Sequence, residues 1–104
     1  MNNMKAPFVK YDIGDFVPVI TERHVAATLA QRVRERRKER HLSQIALADR
    51  SAVTYASIRR FEKSGEISLS SLLKIAAALD CLPDFLSLFG KEYVASLKEY
   101  HPHG

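Results

Sequence analysis

Between Thr54 and Lys63 the chain reads TYASIRRFEK, which gathers a tyrosine, two adjacent arginines and a lysine within ten residues. A guanidinium offers a planar fork of N–H donors and an ammonium a compact point charge, so the chemistry on offer is non-covalent capture of anions and of paired acceptor atoms. Helical spacing decides where these groups point. At about 100° per residue, with Ile58 at zero, Phe61 falls near 300° and the apolar direction lies near 330°. The opposite direction, about 150°, is surrounded by Lys63 at about 140°, Ala56 at about 160°, Arg60 at about 200° and Arg59 at about 100°. Tyr55 flanks this face in the first turn, beside Thr54 and Ser57.

Glu62 falls near 40° on the same wheel, close to the apolar side, where a carboxylate needs a partner. Arg37, in the basic run RVRERRKER upstream, is the candidate. Because charges are rarely buried unpaired, a structural ion pair is a better reading of Glu62 than a catalytic acid. Nothing else in the chain assembles a reaction centre. There is no glycine-rich phosphate loop and no nucleophile in a recognised elbow, and one cysteine with four histidines forms no constellation. His101 and His103 flank Pro102 without further ligands, so no metal site and no cofactor are expected. The expectation is a protein that is not an enzyme.

The elements that must carry these residues can be read from caps and periodicity. Thr21 is a suitable N-cap for a helix over about 22–40, with Val25, Leu29 and Val33 as its inward stripe. Its arginines and lysine suit a helix C-terminus and a largely solvated face. His41 and Leu42 connect to a second helix capped by Ser43, with Gln44 at the first helical position. There Gln44 is expected to be exposed and able to help the helix end hold a phosphate. Ala48 permits a close helix crossing. Arg50 to Val53 form the turn, and Thr54 caps the helix bearing the cationic face. After a loop over 63–67, Ser68 caps a fourth helix whose apolar face comprises Leu69, Leu72, Leu73, Ile75, Ala76 and Leu79. Pro83 opens a fifth, containing Phe85, Leu86, Leu88 and Phe89, and Gly90 stops it.

The flanks differ in texture. Residues 1–20 contain Phe8, Val9, Tyr11, Phe16, Val17, Val19 and Ile20, broken by Gly14 and Pro18. Pro18 excludes a central strand and leaves an edge strand or an extended arm. That arm either packs over the domain's own core or pairs with a second chain. Beyond Gly90, Tyr93, Val94 and Leu97 mark a last amphipathic segment. The 104 residues therefore divide into an arm (1–20), one all-α five-helix domain (21–89) and a C-terminal extension and tail (90–104). A net charge of +4 suits a polyanionic partner. Cys81, the sole cysteine, permits no internal disulfide and reads as a small core residue. With no long apolar run, the expected location is the cytoplasm, at the nucleoid, and not a membrane.

Two short helices joined by a tight turn over 43–62 are the layout of a helix-turn-helix, which lays its second helix into the major groove of DNA. Arginine can grip guanine O6 and N7 there, and alanine can touch a thymine methyl. The stretch from Leu29 to Phe89 resembles the Cro/C1-type (XRE) helix-turn-helix family, through Arg37, Leu42-Ser43-Gln44, Leu47-Ala48, Val53, Ile58, Phe61-Glu62 and Leu72 to Ala76. The resemblance implies a compact five-helix fold and a dimer on operator DNA. It also implies a backbone-bracing role for Gln44, base-reading roles for Tyr55, Ala56 and Arg60, and an Arg37–Glu62 salt bridge. Ala52 departs from the glycine common in that turn, and Leu82 leaves the fifth helix without a polar cap. The second half, from RRFEKSGEIS onward, is similar to HipB-like antitoxins, DNA-binding partners of HipA-type kinase toxins. On that resemblance the chain would repress its own operon as a homodimer, with Phe8, Val17, Phe85 and Phe89 as candidate dimer or partner contacts. A stand-alone regulator, or an adaptor built on the same fold, are the competing readings.

Overall fold

The computed structural model describes residues 19–93. Phe8 and Val17, the segment around Val94 and Leu97, and the histidine-containing tail lie outside the described residues. Within them the chain is all-α, with no strand: α1 (Glu22–Glu39), α2 (Gln44–Ser51), α3 (Tyr55–Ser64), α4 (Leu69–Ala78) and a 3-10 helix (Leu82–Ser87).

Four hydroxyl residues start the four α-helices. Thr21 Oγ1 accepts from His24 N at 3.0 Å, Ser43 Oγ from Ala46 N at 3.0 Å, Thr54 Oγ1 from Ser57 N at 3.1 Å and Ser68 Oγ from Ser71 N at 3.0 Å. Each bond satisfies a backbone donor that the helix itself leaves orphaned, an effect of about 1 kcal/mol per cap. The ends are also set locally. Ala52 and Gly65 cap α2 and α3 in the left-handed region, and their N–H groups donate to Ala48 O and Phe61 O.

The core has two centres. Leu42, Leu47, Val53, Ile58, Ile75 and Leu79 form one, and Ala30, Phe61 and Leu72 form the other. Ile58 and Phe61, 0% and 1% exposed, place α3 across both. α3 packs on α1 and α2, α2 also packs on α4, and the 3-10 helix rests on α4. Cys81 is half-buried against the first centre.

Four local details depart from the sequence expectation. Of the inward stripe expected on α1, Leu29 and Val33 are half-buried against the core but Val25 is 44% exposed, and the fully buried residues of the helix are Ala30 and Arg37. The close approach of α1 to the loop after α3 explains this. A Cβ on Gly65 would meet Ala26 Cβ at 2.9 Å, so α1 and this loop can approach only where both residues are small. In the turn, α2 continues through Ser51, with Ala52 N donating to Ala48 O at 3.0 Å, and the buried Ser51 hydroxyl accepts from Val53 N at 3.2 Å. Leu69 is 66% exposed at the start of α4, whose buried face is Leu72, Ile75 and Ala76.

The fifth helix is the last departure. It is a 3-10 helix over Leu82–Ser87, without a side-chain cap, and it ends before Phe89. Three residues per turn direct only Phe85 onto the core, half-buried beside Phe61 and Leu72, while Leu86, Leu88 and Phe89 remain exposed.

Ala52 has φ 62° and ψ 26°, a conformation that costs an L-residue about 1–2 kcal/mol. Its methyl group is exposed, so little packing opposes its removal. Ala52→Gly relieves the strain but adds about 0.4–1 kcal/mol of unfolded-chain entropy. The expected net outcome is a stabilisation of about 0.5–1 kcal/mol in urea denaturation; a destabilised variant would contradict the left-handed turn.

Candidate nucleic-acid interface

Arg37 and Glu62 meet between α1 and α3, with side chains 10% and 4% exposed. The contact is bidentate: Arg37 Nε donates to Glu62 Oε2 at 2.7 Å and Nη2 to Oε1 at 2.8 Å. Arg37 Nη1 also donates to Leu42 O at 2.8 Å, and Gln44 Nε2 donates to Glu62 Oε1 at 3.0 Å. One guanidinium thus ties the end of α1 to the connection before α2 and to α3, and an amide from the start of α2 closes the network.

Burial alone would raise the Glu62 carboxyl. The hydrogen bonds from Arg37 and Gln44, with the positive charges of Arg37 and Arg34, outweigh that effect and hold it below the usual carboxylate range. The bond to Glu62 likewise raises Arg37, against the opposing effect of burial.

Gln44 is therefore not the freely exposed side chain expected from its position. It is half-buried, with its amide N–H₂ engaged by Glu62. At its start α2 exposes the Ile45 side chain (64%), and of its first N–H groups, which have no intrahelical acceptor, Ala46 N is taken by Ser43 Oγ.

Along α3, Tyr55, Ala56, Arg59, Arg60 and Lys63 are all exposed, and Ser57 is half-buried. Thr54 Oγ1 donates to Ser57 Oγ at 2.9 Å as well as accepting from Ser57 N, so both hydroxyls serve the helix start. Arg59 and Lys63 form no salt bridge among the described residues, whereas Arg60 Nη2 lies 2.6 Å from Glu66 Oε1. Glu66 was not singled out from the sequence. Its signal was an acidic residue just past the glycine cap, six positions after an arginine. Phe85 and Phe89, at the far end of the chain, share no site with these residues.

The basic run of α1 divides in two. Arg36 pairs with Glu39 at 2.8 Å, Arg40 with Asp80 at 2.8 Å and Arg37 with Glu62. Arg32, Arg34 and Lys38 are exposed and form no salt bridge among the described residues. No described helix is long and apolar enough to cross a membrane.

A capped helix braced behind and cationic in front, joined by a tight turn to the helix before it, defines a DNA-binding domain of the helix-turn-helix class. The family model described as Helix-turn-helix matches residues 33–86, which covers α2, α3, α4 and most of the 3-10 helix. The chain belongs to the Cro/C1-type helix-turn-helix family, a family of non-enzymatic DNA-binding domains, and its function is that of a DNA-binding transcriptional regulator. No curated protein and no solved structure matches it.

Two outcomes follow from the buried pair. Arg37→Ala strands the Glu62 carboxylate and is expected to cost about 3–5 kcal/mol in denaturant unfolding; a loss within about 0.5 kcal/mol, as for an ordinary surface change, would refute the brace. The pH dependence follows from the lowered Glu62 value. The stabilisation it contributes is complete above the unfolded value of about 4.3 and is lost as pH falls through the lower folded value. The stability gap between wild type and Glu62→Gln should therefore be widest near neutrality and close in acid below about pH 4. A gap that stays constant with pH would show that the carboxylate's charge is not what matters.

Proposed function

We propose that the chain is a dimeric operator-binding repressor, in which Tyr55, Ala56, Arg59 and Arg60 contact base edges in the major groove. Lys63, the Thr54–Ser57 helix start and the N-terminal backbone of α2 at Gln44 position the protein on phosphates. The observation that carries this reading is the orientation of α3: Ile58 and Phe61 are fully buried, and the five residues opposite them are all exposed. Arginine forks and an alanine methyl suit guanine and thymine edges. In a dimer, two such helices would enter successive major grooves about 34 Å apart.

A row of exposed apolar side chains supports a protein contact elsewhere. Leu82, Leu86, Leu88, Phe89 and Tyr93 are 42–102% exposed near the end of the described chain. Aromatic and aliphatic anchors of this kind suit an interface. In this proposal Phe85 and Phe89 belong to that contact, made with a second copy or with a kinase of the HipA type whose operon the dimer represses. Phe8 and Val17 are proposed to extend it from the arm. A kinase of that type encoded beside this chain, and a complex of the two in gel filtration, would support the antitoxin role. A neighbouring frame of another kind would leave a stand-alone regulator.

DNA reading itself is tested by binding to a duplex selected from a random pool. Arg60→Ala should weaken the selected duplex by about 1–3 kcal/mol and a scrambled duplex less. Equal losses on both would reduce Arg60 to a phosphate contact. A near-flat dependence of affinity on salt would favour the adaptor reading, since several released counterions give a steep slope.

A further inference from the structure

Glu66 lies just beyond the Gly65 cap of α3, in an ion pair with Arg60. Both side chains are about two-thirds exposed (69% and 66%), so the pair contributes little to stability. Its backbone, by contrast, is firmly set. Ser64 Oγ donates to Arg60 O at 2.7 Å and accepts from Glu66 N at 3.1 Å, joining the two residues through one hydroxyl. Gly65 between them has φ 82°, donates to Phe61 O at 2.7 Å and packs so closely on Ala26 that a Cβ would not fit. The carboxylate is thus presented to Arg60 by a built loop. Among the described residues, Arg60 is also the one cation of the α3 face that has an acidic partner; Arg59 and Lys63 have none.

Resting on the reading of α3 as the DNA-reading helix, we propose that Glu66 is a specificity-determining residue that keeps Arg60 neutralised until a base edge displaces it. Random DNA attracts a protein through charge, by releasing counterions. A paired Arg60 carries no net charge to that attraction, and its guanidinium must leave the carboxylate before it can grip a phosphate. A guanine in register offers two acceptors to the guanidinium fork, against the single Nη2–Oε1 contact that Glu66 makes. The exchange is favourable only at that base. Glu66 therefore widens discrimination by lowering affinity for the wrong sequence.

The test uses the full chain, a duplex selected from a random pool by the wild-type protein, and a scrambled duplex of equal length and composition. Glu66→Gln should raise affinity for the scrambled duplex about two- to fivefold, the range of an exposed ion pair. It should steepen the log–log salt slope on that duplex by about 0.9. Affinity for the selected duplex should change less, so the ratio of the two falls. In an Arg60→Ala background the same substitution should lose most of its effect. A selective wild type whose ratio is unchanged by Glu66→Gln would overturn this proposal and leave DNA reading intact. An equal gain in the Arg60→Ala background would also overturn it, by showing repulsion of phosphate without masking. A wild type that prefers no duplex would overturn the DNA-reading proposal and this one with it. Glu66 and its replacement are exposed, and an unchanged melting temperature verifies that the fold is retained.

Discussion

The Arg37–Glu62 contact is the constraint on which the rest of the domain depends. Removing two charges from water is expensive, and replacing such a pair with apolar groups often costs nothing or even stabilises. Its worth here is geometric. A guanidinium bonded at three nitrogens fixes the distance and rotation between the end of α1, Leu42 O and α3, and Gln44 secures α2 to the same carboxylate. An apolar contact of equal volume could slide by an ångström without losing much. A bidentate ion pair cannot, because its bonds are short and directional.

Directionality matters because the helices are short. α2 has eight residues and α3 and α4 have ten each, below the length at which an isolated helix persists in water. Their stability has to come from caps and from burial. The hydroxyl caps fix where each helix starts, and the two core centres fix which side turns inward. Ile58 in one centre and Phe61 in the other hold α3 at two points, one turn apart. Two buried anchors and a brace at Glu62 leave α3 no freedom to roll, so its outward face is set by its inward one.

That relation explains how much was legible in the sequence. Caps and the Ile58–Phe61 spacing suffice to draw α2 and α3, because a hydroxyl before an apolar stripe has one economical helical solution. The angle of Glu62 on the wheel is enough to require a partner for its carboxylate. What the sequence did not disclose are features set by packing between elements. The inward face of α1 depends on how closely Ala26 meets Gly65, and hydropathy alone prefers Val25. Gln44 reads as an exposed first-turn residue until the brace it joins is in place. The missing polar cap of the last helix is visible at Leu82, but its 3-10 form over Leu82–Ser87 and the exposure of Phe89 are not. Arg60 and Glu66 belong to different local units, and only the loop held by Ser64 brings them together.

The pairing of charges also changes what a net charge of +4 means. Arg36, Arg37 and Arg40 are neutralised within the domain, and Arg60 is neutralised at its edge. The unpaired cations among the described residues include Arg59 and Lys63 on α3 and Arg32, Arg34 and Lys38 on α1. Of these, Arg34 is close enough to the brace to help hold Glu62 ionised. In the proposed reading of α3, an approaching polyanion meets two open charges, Arg59 and Lys63, and a third, Arg60, that must first be exchanged. A domain with fewer committed cations would bind DNA more tightly and less selectively, since charge attraction is blind to sequence. On the proposed role of Glu66, selectivity is a property of which cations are already occupied as much as of which are exposed.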